Sequence, residues 1–275
     1  MKPTVGFEDR YDLTPDQRIG LIGLPGLTIE IRPKAPISNV VFLLSYACGA
    51  AKPDVEEPQL AQEHGLVELI ALLLSGMVKR ATRRGLLNGY ITEEDSLQAP
   101  RGRILFDSQL RRRLGLAPPI EVRHDVFTPD VLENRLLLAA LDRLGQLRLR
   151  SQRVRKELNG ARRVFGAVSA CRFSPSHVPD IVFTRLNGHY RPALTLASLV
   201  LRSISAQLGS GSSHASAFLI DMNVVFEQFV RIALREALGA SRQSFPDEAP
   251  KLHLDVSEQV RLRPDLCLID RGRIA

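Results

Sequence analysis

The spacing of apolar and polar positions changes several times along the chain, and each change marks an element. At residues 27–31, Leu27, Ile29 and Ile31 alternate with Thr28 and Glu30, which predicts a strand with one wet face. Pro25-Gly26 supplies a turn before it and Pro33 ends it, so the chain opens with a small β-rich unit. From Glu63 to about Arg84 the period lengthens. Leu66, Leu69, Ile70, Leu73, Leu74 and Met77 recur at helical spacing, and basic residues crowd the final turn, where they complement the helix dipole. Gly85 follows as a C-cap.

Beyond residue 100 the helical period dominates. Thr128 is placed to cap a helix with Pro129 as its first residue and Asp130 and Glu133 in its first turn, running to about Leu147. Leu137, Leu141 and Leu144 form its buried stripe. A basic helix is expected near 151–165, with Gly160 blurring its extent, and another over 193–208. Residues 209–217, "GSGSSHASA", read as a flexible connection. In the segment 218–240, Phe218, Met222, Val225 and Phe229 fall on one helical face, and Asn223, Glu227 and Arg231 fall on the other. Two strands close the chain, around 251–260 and 263–270. The resulting class is α+β: a β-rich N-terminal domain, an Arg-rich helical middle and a C-terminal α/β segment.

Composition narrows the possibilities. At 275 residues, 44% hydrophobic and 24% charged, the chain can bury one large core or two medium ones. Its longest apolar runs, at 39–51 and 66–78, are shorter than the roughly 20 residues that span a bilayer, and the opening residues lack the apolar region of a secretory signal. Cys48, Cys171 and Cys267 lie far apart in no metal-binding or disulfide pattern, so a reducing cytoplasm is the expected home, with no membrane partner. The net charge of +7 is unevenly spread: residues 76–172 carry 20 Lys and Arg against 10 Asp and Glu. The clusters are "KRATRR" at 79–84, "RGR" at 101–103, "RRR" at 111–113 and "RLRLRSQRVRK" at 146–156. Arginine bonds phosphate and carboxylate with two parallel donors, so this density suits a polyanion or an acidic protein surface, and equally a plain solvated face.

Several chemistries are excluded. The chain has no GxxxxGK[ST] phosphate loop, and "GLIGLPG" lacks both the lysine and the helix that should follow. The six histidines have no zinc-helix spacing, and "GSGSSHAS" has no GxSxG elbow. What remains is Glu227 on a helix and Asp265 in Pro264-Asp265 ahead of an apolar strand. Two carboxylates converging on one end of a sheet can bind a hard cation such as Mg2+. The plain alternative is an i, i+4 ion pair between Glu227 and Arg231, with Asp265 an ordinary strand-edge acid.

Five segments in order, "LTIEIRPK", "RGRILF", "FTPDVLENRLLLAAL", "FLIDMNVVFEQFV" and "LRPDLCLIDRGR", resemble McrC, the nuclease subunit of the McrBC methylcytosine-dependent restriction system. The resemblance implies an N-terminal domain, residues 1–120, that docks on and stimulates an McrB-like AAA+ GTPase ring. It also implies a region 121–275 that holds helices and a PD-(D/E)XK endonuclease core acting on DNA containing methylated cytosine. Asp265 is then the first metal acid and Glu227 the helix acid of a Mg2+ site, with GTP bound by the partner. The family's Asp-x-Lys should follow Asp265 by about a dozen residues, whereas the sequence continues for ten, so the implied core is incomplete in the residues given. A fragment and a natural short form are both compatible with that expectation. Arg101 and Arg103, Arg111 and Arg112, and Arg135 within Glu133-Asn134-Arg135 are candidates for DNA or partner contact; turn and helix-terminus networks are the alternative for them. A non-catalytic DNA-binding or adaptor protein is the competing function.

Overall fold

A computed structural model of the chain describes residues 2–5, 11–14, 16–24, 27–50, 64–113, 115, 117–203, 216–247, 252–255, 257, 259–262, 264–270 and 273–274. The strands in chain order are β1 (Lys2–Val5), β2 (Tyr11–Thr14), β3 (Arg18–Leu24), β4 (Leu27–Ile31), β5 (Gly89–Leu97), β6 (Arg103–Ile104) and β7 (Ile120–Thr128). They continue with β8 (Ser216–Asp221), β9 (Leu252–His253), β10 (Arg261–Leu262), β11 (Ile269–Asp270) and β12 (Arg273–Ile274). The helices are α1 (Ile37–Ala47), α2 (Leu66–Ala81), α3 (Phe106–Arg112), α4 (Leu132–Gly145), α5 (Gln152–Arg163), α6 (Arg191–Arg202) and α7 (Met222–Ala237). They fall into two compact units, Met1–Leu73 with Arg202–Ala275, and Leu74–Leu201. This partition does not coincide with the division at residue 120 read from the sequence, because β5 and β6 on one side of it pair with β7 on the other.

In the first unit β3 is the centre of an antiparallel sheet ordered β4-β3-β8. The register joins Leu21 to Glu30 on one side and to Phe218 on the other, so distant parts of the chain share one ladder. The expected alternation in β4 is present from Thr28 on, with Ile29 and Ile31 half-buried and Thr28 and Glu30 exposed, but Leu27, expected on the apolar face, is exposed. Gly20 sits at φ 146°, and a Cβ there would lie 2.0 Å from the Phe218 carbonyl oxygen, so the approach of β8 requires glycine. Phe218 itself is fully buried in β8 and not on a helical face. The helix that follows starts at Met222, where the Asp221 side chain accepts from the Asn223 N–H at 3.0 Å. Helix α1 packs on α7 through the rings of Phe42, Tyr46 and Phe229, with centroids 5.2–6.2 Å apart, and the Tyr46 hydroxyl donates to Glu236.

The second unit corrects the expectation of a purely helical Arg-rich middle. It contains a three-stranded antiparallel sheet ordered β5-β7-β6. Strand β5 is too polar, "GYITEEDSL", to announce itself by apolar alternation, and its pairing with β7 over the full register Gly89↔Thr128 to Leu97↔Ile120 supplies what its side chains do not. Thr128 ends β7 and caps no helix. Its hydroxyl accepts from the Asp130 N–H at 3.1 Å, making a turn, and α4 begins at Leu132, three residues beyond Pro129. Leu137, Leu141 and Leu144 are buried as the stripe predicts, but so are Leu136, Leu138, Ala139 and Ala140, so α4 is enclosed on nearly every side. Helix α5 lays Val154, Leu158 and Ala161 against it, with Ser151 as N-cap. In α6 the buried residues Leu194, Ala197 and Leu201 recur at helical spacing, and residues 204–208 of the helix expected there lie outside those described.

Candidate functional site

The C-terminal acids are positioned by a row of side chains on α7. Glu227, Arg231 and Arg235 lie at i, i+4 and i+8, which aligns them along one face. Arg235 is buried and holds the turn after the helix: its Nε donates to the Phe245 carbonyl at 2.9 Å and its Nη2 to Asp247 at 2.6 Å. The Ile269 N–H donates in turn to the Ser244 carbonyl at 2.7 Å, fastening β11 to the same turn. One helical turn earlier, Arg231 donates to the Asp265 carbonyl oxygen at 3.3 Å. Thus Asp265 is held at the arginine one turn from Glu227, and among the described residues no ion pair joins Glu227 to Arg231. Pro264-Asp265 lies in the connection between β10 and β11, not at the head of a strand, and β9, β10 and β11 are two residues long each. Arg231 and Arg235 are therefore the positioning residues here. The i+4 series was visible in the sequence; their partners, 10 to 34 residues downstream, were not.

Both Glu227 and Asp265 are exposed. Among the described residues no group of three or more His, Cys, Asp and Glu side chains is placed to hold a metal ion. A Mg2+ ion takes six oxygens and is held by one or two carboxylates together with substrate phosphate and water. The donor type at Glu227 and Asp265 suits that ion, but the donor number does not: the described residues do not make a metal centre.

The candidate arginines divide into engaged and open groups. Arg101 donates to His124 Nε2 at 2.6 Å, which fixes that nitrogen as an acceptor because arginine has none to offer. Between Arg101 and Arg103, Gly102 has φ 77°, and a Cβ there would lie 2.4 Å from the Arg123 carbonyl, so the "RGR" loop lies directly against β7. Arg112 pairs with the buried Glu121 at 3.0 Å. Arg135 binds Asp130 through two parallel bonds at 2.8 and 2.7 Å, and Asp130 also accepts from the Ser169 N–H at 2.9 Å and hydroxyl at 2.6 Å. These bonds hold the Asp130 carboxyl well below the usual carboxylate range, Arg135 contributing most. The neighbouring Asn134 donates to the carbonyls of Leu87 and Pro129, and Glu133 accepts from Asn187 at 3.0 Å, so this group ties the segment leading into β5, α4 and the 182–187 turn together. Arg103 and Arg111 are exposed.

The described residues thus form a mixed α/β chain of small antiparallel sheets and helices, with a strongly basic second unit and with Asp265 held through its carbonyl by Arg231, one turn from Glu227. The chain belongs to the family described as McrBC 5-methylcytosine restriction system component, whose model matches residues 13–274. It is 25% identical over 160 residues to the type IV methyl-directed restriction enzyme EcoKMcrBC of Escherichia coli (strain K12), a match that takes in 57% of this chain and 44% of that protein. The match thus spans less than half the length of the curated relative. Among solved structures, the chain is similar to one in the cryo-EM structure of the Thermococcus gammatolerans McrBC complex, with TM-score 0.51 and 23% identity over 82% of this chain and 68% of that one. It is also similar to one in the half-complex from a tetradecameric assembly of Thermococcus gammatolerans McrB AAA+ hexamers with bound McrC. There the TM-score is 0.51 at 19% identity, over 97% of this chain and 62% of the other. At such identities these two likenesses establish the fold.

Proposed function

We propose that the chain is an McrC-type subunit that docks on an McrB-type AAA+ GTPase ring, raises its GTP hydrolysis and supplies the DNA-cleaving end of a methylcytosine-dependent restriction complex. The observation that carries this reading is the family match over residues 13–274, which takes in the "RGR" loop, the Arg135 network and the Glu227–Asp265 end together. Within it, Arg103 and Arg111 are assigned to partner or DNA contact because both are exposed and, unlike Arg101 and Arg112, have no side-chain partner among the described residues. Arg101, Arg112 and Arg135 hold the β6–β7 and α4 surfaces in the shape the partner meets. Glu227 and Asp265 are assigned to phosphodiester cleavage, contributing two carboxylates to a Mg2+ site whose other ligands are not among the described residues. Methylated-base recognition is assigned to the ring.

The test is GTP hydrolysis by a cognate McrB-type ring with and without the chain; folded chain that neither binds the ring nor changes its rate removes the reading. A second reading, a non-catalytic adaptor that keeps partner binding, is favoured by the absence of a three-ligand group among the described residues. Cleavage of methylated duplex by the assembled complex with Mg2+ separates the two. The nuclease reading expects Glu227→Ala and Asp265→Ala each to lower cleavage by about two orders of magnitude or more. The adaptor reading expects no cleavage from the unsubstituted complex.

A further inference from the structure

Two basic clusters that are about seventy residues apart in sequence meet in the second unit. Lys79, in the last turn of α2, pairs with Glu157 on α5. Glu157 is the only acid in α5, "QRVRKELNGARR", so the pair both neutralises it and sets the α2 end with Arg83 and Arg84 beside α5. The buried residues Val154, Leu158 and Ala161 define the inward side of α5. At 100° per residue the opposite side carries Gln152, Lys156, Asn159, Gly160 and Arg163. Arg153 shares the flank of Glu157, four residues before it, on the side where Lys79 sits. On the other flank Arg162 pairs with Asp142 and Arg155 donates to the Leu149 carbonyl at 2.9 Å. Arg155 and Arg162 are thereby engaged on that flank, while Arg153, Lys156 and Arg163 are exposed on the others.

We infer that the outer face of α5, together with the end of α2, is a contact surface for the phosphate backbone of duplex DNA. Its composition selects this occupant over an acidic protein. Protein interfaces bury an apolar or aromatic centre, and the outward side of α5 has none; Lys, Arg, Gln and Asn are the side chains that bond phosphate oxygens. Lys156 and Arg163 are seven residues apart, about 10 Å along the helix, a length matched by about three base steps along a duplex strand. Such a surface holds DNA without reading sequence or methylation, so it would retain the duplex near the complex while the ring selects the site. The inference rests on the proposed role in a DNA restriction complex, and its test is arranged to fail separately.

The test uses the full chain and a labelled unmethylated duplex, titrated between about 50 and 200 mM salt. The triple variant Arg153→Ala, Lys156→Ala, Arg163→Ala should bind at least tenfold more weakly at the lower salt. Its log–log salt slope should be shallower by about 2.7, at about 0.9 for each phosphate that the variant no longer neutralises. A control with Arg172→Ala and Arg185→Ala, exposed cations elsewhere in the unit, should keep the original slope. Unchanged binding by the triple variant, an equal weakening in the control, or a parent chain without salt-dependent duplex binding would each overturn the inference. GTP hydrolysis by the ring should be stimulated equally by parent and triple variant. Loss of stimulation with intact duplex binding would make the surface an acidic-protein contact and overturn the DNA assignment. Absence of stimulation by the parent, with the duplex result as expected, would remove the subunit role and leave the DNA surface standing.

Discussion

Asp130 illustrates how much of this molecule is decided by single carboxylates. Its two oxygens receive four hydrogen bonds from Arg135 and Ser169 and its side chain is 19% exposed, so the charged form is favoured in the fold. Its folded pKa is depressed, with the Arg135 hydrogen bonds as the largest cause. The stability it contributes is therefore complete above the unfolded carboxylate value, about 4, and is lost as pH falls through the lower folded value. Asp130→Asn should cost about 1–3 kcal/mol at pH 7 by chemical denaturation. The gap between variant and parent should close as the pH is taken well below 4; a gap that stays constant would show that charge is not what Asp130 contributes. The sequence reading placed Asp130 in the first turn of a helix and offered a helix-terminus network for Arg135 without naming its partner; Asp130 lies instead in the turn before α4. Ser169, thirty-nine residues away, was beyond any local signal, as was the contact of Arg231 with the Asp265 carbonyl.

At the scale of elements, legibility followed burial. Helices α2 and α4 were evident because enclosed apolar residues recur at their period, whereas α5 was expected only as a basic helix, and its narrow apolar stripe of Val154, Leu158 and Ala161 emerges from the packing. Strands β3 and β5 were missed: β3 is interrupted by glycines and β5 is exposed on most of its length, so neither shows a period of two. Their sheets are set by partners far along the chain. Gly20 makes this measurable. Gly20→Ala would drive a methyl into the Phe218 carbonyl as well as straining φ, and should cost about 3 kcal/mol or more, read as a large fall in Tm. Gly85→Ala meets nothing within 4 Å, although φ there is 98°, so backbone strain of about 1–2 kcal/mol is its expected cost. Equal effects at the two sites would mean that the β3–β8 approach is looser than described. Arg235→Ala, which removes the anchor of the turn at 241–247, should increase hydrogen exchange at Ile269, whose N–H is fastened to Ser244 in that turn. Unaltered exchange would place the support of β11 elsewhere.

For the whole molecule, the ordered segments read from the sequence agree with the family match, although the compact units do not divide where the sequence suggested. The reason lies in topology: β8, at residues 216–221, completes the sheet begun by β3 and β4, and β7 completes the one begun by β5. Sequence order thus conceals which halves fold together. The candidate site was legible as residue types, Glu227 and Asp265, but not as geometry, because the arginines that hold the connection before β11 act through backbone carbonyls that carry no residue-specific signal. In the proposed reading the second unit carries the basic surface and the first the two candidate acids, which assigns DNA retention and cleavage to different units. The most direct measurement is GTP hydrolysis by a cognate McrB-type ring titrated with the folded chain. The account predicts a saturable rise in rate that accompanies binding; a rate unchanged across the titration, with the chain folded and in excess, would contradict it.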